Sequence, residues 1–177
     1  MIVEPILFTS ISDSGLNVVL PDGSWLPQSY QDVQSAPDVS FFLQRGDGGV
    51  HLTGTMALVL NLQCDRCLDA YKKRIACEFS VDVVVGEPAP LADEQMDYIC
   101  EAAEMDTMFV ESAQVDLHDV ARQQLYLQLP LKKICEVDCP GLCQCGEKNG
   151  SPACACEKII DSPFASLAKL GRGREMR

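Results

Sequence analysis

The chain has 177 residues, 47% of them hydrophobic, with 26 acidic against 14 basic side chains and a formal net charge of −12. That length supports one good core, or one core with a small satellite that needs a staple. A field this acidic repels a phosphate backbone, so direct nucleic-acid binding would need local basic surface; the candidates are Lys72-Lys73-Arg74, Lys132-Lys133 and Arg172, Arg174 and Arg177.

In chain order, a strand is predicted at 2–8 and another at 16–20. The turn signal Pro21-Asp22-Gly23 follows the second, and a loosely held loop follows Trp25. From Val50 the apolar side chains fall at Val50, Leu52, Met56, Leu58, Leu60 and Leu62, a period of two that marks one buried strand face. Beyond Cys64-Asp65-Arg66-Cys67 the odd positions take over, with Tyr71, Ile75, Cys77, Phe79, Val81, Val83 and Val85. The pattern predicts two long antiparallel strands joined through a C-x2-C turn.

Residues 86–106 are acidic and weakly periodic, which predicts a solvated loop with a short strand at 98–100. A helix is expected over 116–129: Asp116 is a natural N-cap, Asp119 adds charge to the first turn, and Leu117, Val120, Ala121 and Leu125 share a face. Pro130 stops it by biasing Leu129 out of the helical region. A last short helix is announced by Ser162-Pro163, with Phe164, Leu167 and Leu170 inward and Gly171 at its end. The fold class expected is α+β, an antiparallel β-sheet core with one or two short helices and a Cys-rich zinc-binding C-terminal segment. The division expected is a β-rich core over 1–134 and the Cys-rich segment with its helix over 135–177.

Eight of the ten cysteines are paired by spacing: Cys64 and Cys67, then Cys135, Cys139, Cys143, Cys145, Cys154 and Cys156. Closely spaced thiols converge on a metal, and tetrahedral zinc recruits C-x2-C pairs from distant parts of a chain. The competing use, a disulfide framework, belongs to oxidising compartments. The opening Met1-Ile2-Val3-Glu4-Pro5 shows no basic or apolar leader region, and runs such as 56–62 are too short to cross a bilayer, so a reducing cytoplasm is expected and no membrane. One or two zinc ions are the expected occupants, with disulfides, an iron–sulfur cluster or free thiols as alternatives. Cys64 and Cys67 supply half a site and would be completed by Cys135 and Cys139, leaving Cys143, Cys145, Cys154 and Cys156 for a second. The exchange in which Cys143 and Cys145 partner the first pair stays open. Cys77 reads as a small buried hydrophobe and Cys100 as a bystander.

All-thiolate sets are closed, whereas a catalytic zinc keeps an open position. His51 and His118 lack ligand spacing and read as surface residues, and no phosphate loop, nucleophile elbow or His-Glu-x-x-His sequence is present. No enzyme is expected. The sulfur sets equally suit a zinc-ribbon protein-interaction module of another role, such as a transcription accessory protein, whereas a thiol redox role for Cys64-Asp65-Arg66-Cys67 would need the pair at a helix N-terminus rather than in a turn between strands.

The succession Cys64-Asp65-Arg66-Cys67-Leu68, Asp116-Leu117, Leu127-Gln128-Leu129-Pro130-Leu131, Cys135, Gly141-Leu142-Cys143 with Cys145-Gly146, then Asp161-Ser162-Pro163-Phe164-Ala165-Ser166-Leu167 resembles the YceD family from about Gly48 onward. These are also called large ribosomal RNA subunit accumulation proteins. Many members carry Gly-Leu-Cys-x-x-Cys-Gly, and here the pair is closed up to Cys143-Gln144-Cys145-Gly146. Leaner members keep the first pair and lose much of the late block, which implies that Cys64 and Cys67 serve the shared core. The resemblance implies a cytoplasmic bacterial or organellar role in accumulation or processing of large-subunit ribosomal RNA, without established catalysis. Its acidic charge suits ribosomal assembly intermediates or basic ribosomal proteins as partners better than bare RNA.

Overall fold

A computed structural model describes residues 4–30, 36–46, 48–87, 106–154 and 156. The fold is α+β. Strands β2 (Leu16–Leu20), β3 (Asp38–Gly46), β4 (Gly49–Gln63), β5 (Ala70–Val85) and β6 (Thr107–Val110) form one sheet in that order. All neighbours are antiparallel except β5 and β6, which run parallel. Two short strands, β1 (Ile6–Leu7) and β7 (Gln114–Val115), pair separately and fasten the start of the chain beside the entry to the single described helix, α1 (Leu117–Gln128).

The two long strands form as their alternation predicts, and Gln63 faces Ala70 across the C-x2-C turn. Register places Val39, Phe41 and Leu43 of β3 on the same face as Leu52, Met56 and Leu58 of β4 and Ile75, Val81 and Val83 of β5. That face is buried under α1 and the N-terminal segment, where Leu117, Val120, Ala121 and Leu125 meet Phe8, Ile11, Trp25 and Leu26 in one core. Gly54 lies between Phe41 and Phe79 on neighbouring strands, and the two rings meet edge to face over it with centroids 5.8 Å apart. A Cβ at Gly54 would come within 2.5 Å of the Phe79 ring.

The helix starts as its cap predicts: the Asp116 carboxylate accepts the backbone N–H groups of His118 (2.8 Å) and Asp119 (3.3 Å). Leu129 is extended, with ψ 134°, as the following proline requires. Three expectations need revision. The strand predicted at 2–8 is described only at Ile6–Leu7, and Phe8 turns into a short 3-10 helix, Phe8–Ser10. β3 was not anticipated, because apolar Phe42 interrupts the alternation of Val39, Phe41 and Leu43. The parallel strand β6, and β7 as the partner of β1, have no counterpart among the expected elements. The strand expected at 98–100, Cys100 and the helix expected from Ser162 lie outside the described residues.

Candidate metal centre

The turn between β4 and β5 is a closed knuckle. Leu68 N–H donates to Cys64 C=O (2.9 Å) and Cys64 N–H to Asp69 C=O (2.9 Å), which folds the two thiols onto one side of the turn. Closing so tight a turn drives Leu68 to a φ of 61°, the left-handed region that favours glycine. After α1 the chain returns along this knuckle. Asp65 N–H donates to Lys133 C=O (2.6 Å) and the Asp65 carboxylate accepts Lys133 N–H (2.7 Å). The Arg66 guanidinium donates to the carbonyls of Cys139 (3.1 Å) and Val137 (3.5 Å). The two residues between the cysteines therefore clamp the segment that carries Cys135 and Cys139.

The result is a tetrad of Cys64, Cys67, Cys135 and Cys139, three of them buried, with all sulfurs within 4.8 Å of one another. Cys64 Sγ lies 3.8 Å from Cys139 Sγ, and Cys67 Sγ 3.7 Å from Cys135 Sγ. An ion holding four thiolates at about 2.3 Å in a tetrahedron spaces them by about 3.8 Å, so this set fits a metal of zinc's size. Backbone N–H groups of Arg66 and Cys135 point at Cys64 Sγ, both at 3.4 Å.

Ionisation reflects the crowding. Burial opposes a thiolate at Cys64, but the surrounding backbone N–H groups outweigh it and bring the thiol down to about 6. At Cys67 the Asp69 N–H favours the thiolate, yet burial and the three neighbouring sulfurs prevail and push it up to about 12. Burial and the Cys139 and Cys64 sulfurs raise Cys135 as well. Four such thiols cannot all ionise without a cation among them.

Cys143, Cys145, Cys154 and Cys156 make a second tetrad, with two of its members exposed. Cys145 and Cys154 sulfurs are 3.8 Å apart, the same tetrahedral spacing. The knuckle here repeats the first with one residue fewer: Gly146 N–H donates to Cys143 C=O (2.9 Å) and Cys143 N–H to Glu147 C=O (2.8 Å). Gly146, at φ 85°, stands where Leu68 stands in the first knuckle, so the closed-up C-x-C spacing is accommodated by a tighter turn. The Cys145 N–H and sulfurs of Cys154 and Cys156 lower Cys143 to about 7, while the Cys145 and Cys143 sulfurs push Cys156 up to about 12. The structure thus groups the eight sulfurs as Cys64, Cys67, Cys135 and Cys139 against Cys143, Cys145, Cys154 and Cys156, and not in the exchanged arrangement.

The second knuckle is docked on the first. Leu142 N–H donates to Arg66 C=O (3.0 Å), and Gly141 (φ 74°) passes so close that an added Cβ would lie 3.3 Å from that oxygen. Lys148 reaches Asp69 (3.6 Å) and Glu136 (3.8 Å). Sequence reasoning found the sulfurs and missed Asp65, Arg66 and Lys148. The signal was the pair of charged residues inside a turn that needs none for its own closure.

Cys77 is half-buried on the core side of β5 and belongs to neither tetrad. His118 lies in the first turn of α1. His51 is more engaged than its surface reading implied: its Nδ1 lies 2.6 Å from the Asp82 carboxylate and its Nε2 3.3 Å from Ser80 Oγ. The three resemble a nucleophile–base–acid relay, but they stand on an open sheet face. Backbone N–H groups of a sheet lie in its plane, so none is aimed at an oxyanion above Ser80. The contact is a cross-strand pair that joins β4 to β5.

No helix among the described residues is long and apolar enough to cross a membrane. No solved structure matches the chain. Three uncharacterized mycobacterial proteins, one from Mycobacterium bovis and two from strains of Mycobacterium tuberculosis, are each 30% identical to it over 134 residues. The match covers 75% of this chain and 61% of each relative, so the chain spans less than two thirds of their length. A sequence model of one family, described as large ribosomal RNA subunit accumulation protein YceD, matches residues 52–171. That span takes in the long hairpin from Leu52, both knuckles and the helix between them, and the chain belongs to the YceD family.

Proposed function

We propose that this chain is a non-enzymatic, cytoplasmic factor in the accumulation of large-subunit ribosomal RNA, and that zinc fills both of its cysteine tetrads. The observation that carries the reading is the family match over 52–171, which includes every one of the eight paired cysteines. The family is not a known enzyme family. The chemistry of the donor sets supports zinc: both are all-sulfur, with sulfurs at tetrahedral spacing. Zinc at such sites supplies cross-linking, holding the late segment on the β4–β5 turn, and each filled tetrad carries a net −2.

The partner we propose is a ribosomal assembly intermediate, met through basic ribosomal proteins, whose charge complements a chain at −12. A thiol redox role is disfavoured by the placing of Cys64 and Cys67 in a strand-to-strand knuckle rather than at a helix N-terminus. The test is co-sedimentation with large-subunit precursor particles, set against the same RNA stripped of protein. Binding to the particles alone is expected. Tight binding to the stripped RNA would overturn the protein-contact reading, and absence from both would overturn the ribosomal role.

A further inference from the structure

Among the described residues, no strand pairs with the outer edge of β5 over most of its length. Asp82 N–H donates to Asp106 C=O (2.9 Å) and Gly86 N–H to Val110 C=O (3.0 Å), which shows that the even-numbered residues of this strand turn their backbone groups away from β4. β6 covers that edge only from Asp82 to Val85. Over 72–80 no strand lies beside it among the described residues. Nine residues exceed the commonest strand length of about 5–6, and an edge of that extent is a template for another chain.

The side chains along the edge are antisymmetric in charge. On the outer face Lys72 and Arg74 precede Ala76, and Glu78 follows it; all are exposed, and the three charged groups have no ion-pair partner among the described residues. Reversing the strand about Ala76 sets Arg74 opposite Glu78 twice. On the core-facing side the same reversal sets Lys73 opposite Phe79, where an ammonium over an aromatic ring is favourable. A groove of 430 Å³ lies beside Phe79 and Val81, walled by Gln123, Gln124 and Leu127 of α1. Leu127 is 73% exposed there.

We propose that two copies of this chain pair their β5 edges antiparallel over 72–80, centred on Ala76, and so join their five-stranded sheets across a two-fold axis. The occupant of the edge is a second copy because its charge order complements its own reverse, whereas a parallel neighbour would place like charges side by side. The pairing is closed, since the two-fold axis sets the same stretch of β5 against itself and leaves neither copy's stretch for a third chain. It does not depend on the ribosomal reading.

The test is sedimentation velocity with light scattering on the full chain at micromolar concentration, where a mass twice 19.4 kDa is expected. Arg74→Glu and Glu78→Arg should each leave a folded monomer, verified by circular dichroism, because each sets like charges opposite one another. The double exchange restores both pairs and should restore the dimer. A monomeric parent chain would overturn the proposal. So would a dimer indifferent to the single reversals, or a double variant that stays monomeric.

Discussion

Leu68 stands one residue past Cys67 with a φ of 61° and its side chain more than half exposed, so its backbone strain is not offset by burial. Leu68→Gly should relieve it and stabilise the chain by about 0.5–1 kcal/mol, read from the denaturation midpoint at unchanged slope. A loss of stability would show that the leucine side chain holds the turn. Arg66 is the converse case, a side chain whose charge is used inside the fold. Arg66→Ala removes the donors to the Cys139 and Val137 carbonyls and should cost about 1–3 kcal/mol, with faster metal loss from the first tetrad to a chelator. Spacing alone revealed the eight sulfurs, because C-x2-C and C-x-C are local patterns. The clamp made by Asp65, Arg66 and Lys148 showed only in the charged pair inside the turn; its partners were not legible, since most of its contacts join residues far apart in sequence.

Among the elements, the β4–β5 hairpin and α1 were legible because each carries its own signal, alternation in one case and a cap, an apolar stripe and a terminal proline in the other. β3, β6 and β7 are too short or too mixed to announce themselves and gain their places from neighbours, as does the pairing of β1 with β7. Gly54 shows how closely the sheet is packed: Gly54→Val should cost about 1–3 kcal/mol in overpacking against the Phe79 ring, measured by thermal unfolding. The tetrads differ in accessibility, so Cys145→Ser should halve the zinc content from two ions to one with little change in the melt. Cys64→Ser should lower the melt sharply. Acid should empty both. In the first tetrad Cys67 and Cys135 are raised and hold protons at neutral pH when metal-free, and in the second Cys154 and Cys156 do. Metal binding thus expels at least two protons per tetrad, so its stabilisation is present at neutral and alkaline pH and is lost as pH falls. Chelator competition at several pH values measures this, and a pH-independent affinity would contradict it.

At the scale of the whole molecule, the acidic charge is unevenly shared. Among the described residues, Lys72, Lys73, Arg74, Lys132, Lys133 and Lys148 cluster toward the knuckle end of the hairpin or on the segment docked against it, while the opposite end carries few cations. An association governed by basic partner proteins should weaken as salt screens the net negative charge, and particle binding measured at rising ionic strength should fall.

The two tetrads also differ in how much chain each one spans. Cys67 and Cys135 are 68 positions apart, with β5, β6, β7 and α1 between them, whereas Cys145 and Cys154 are 9 apart. The second set therefore draws all four of its sulfurs from one short stretch of chain, although that stretch is docked on the first knuckle. The first set joins the β4–β5 turn to the segment that returns after β5, β6, β7 and α1. Under the proposed zinc occupancy, an ion in the first set would therefore tie together parts of the chain that only the folded sheet and helix bring side by side, whereas one in the second set would tie a single local loop.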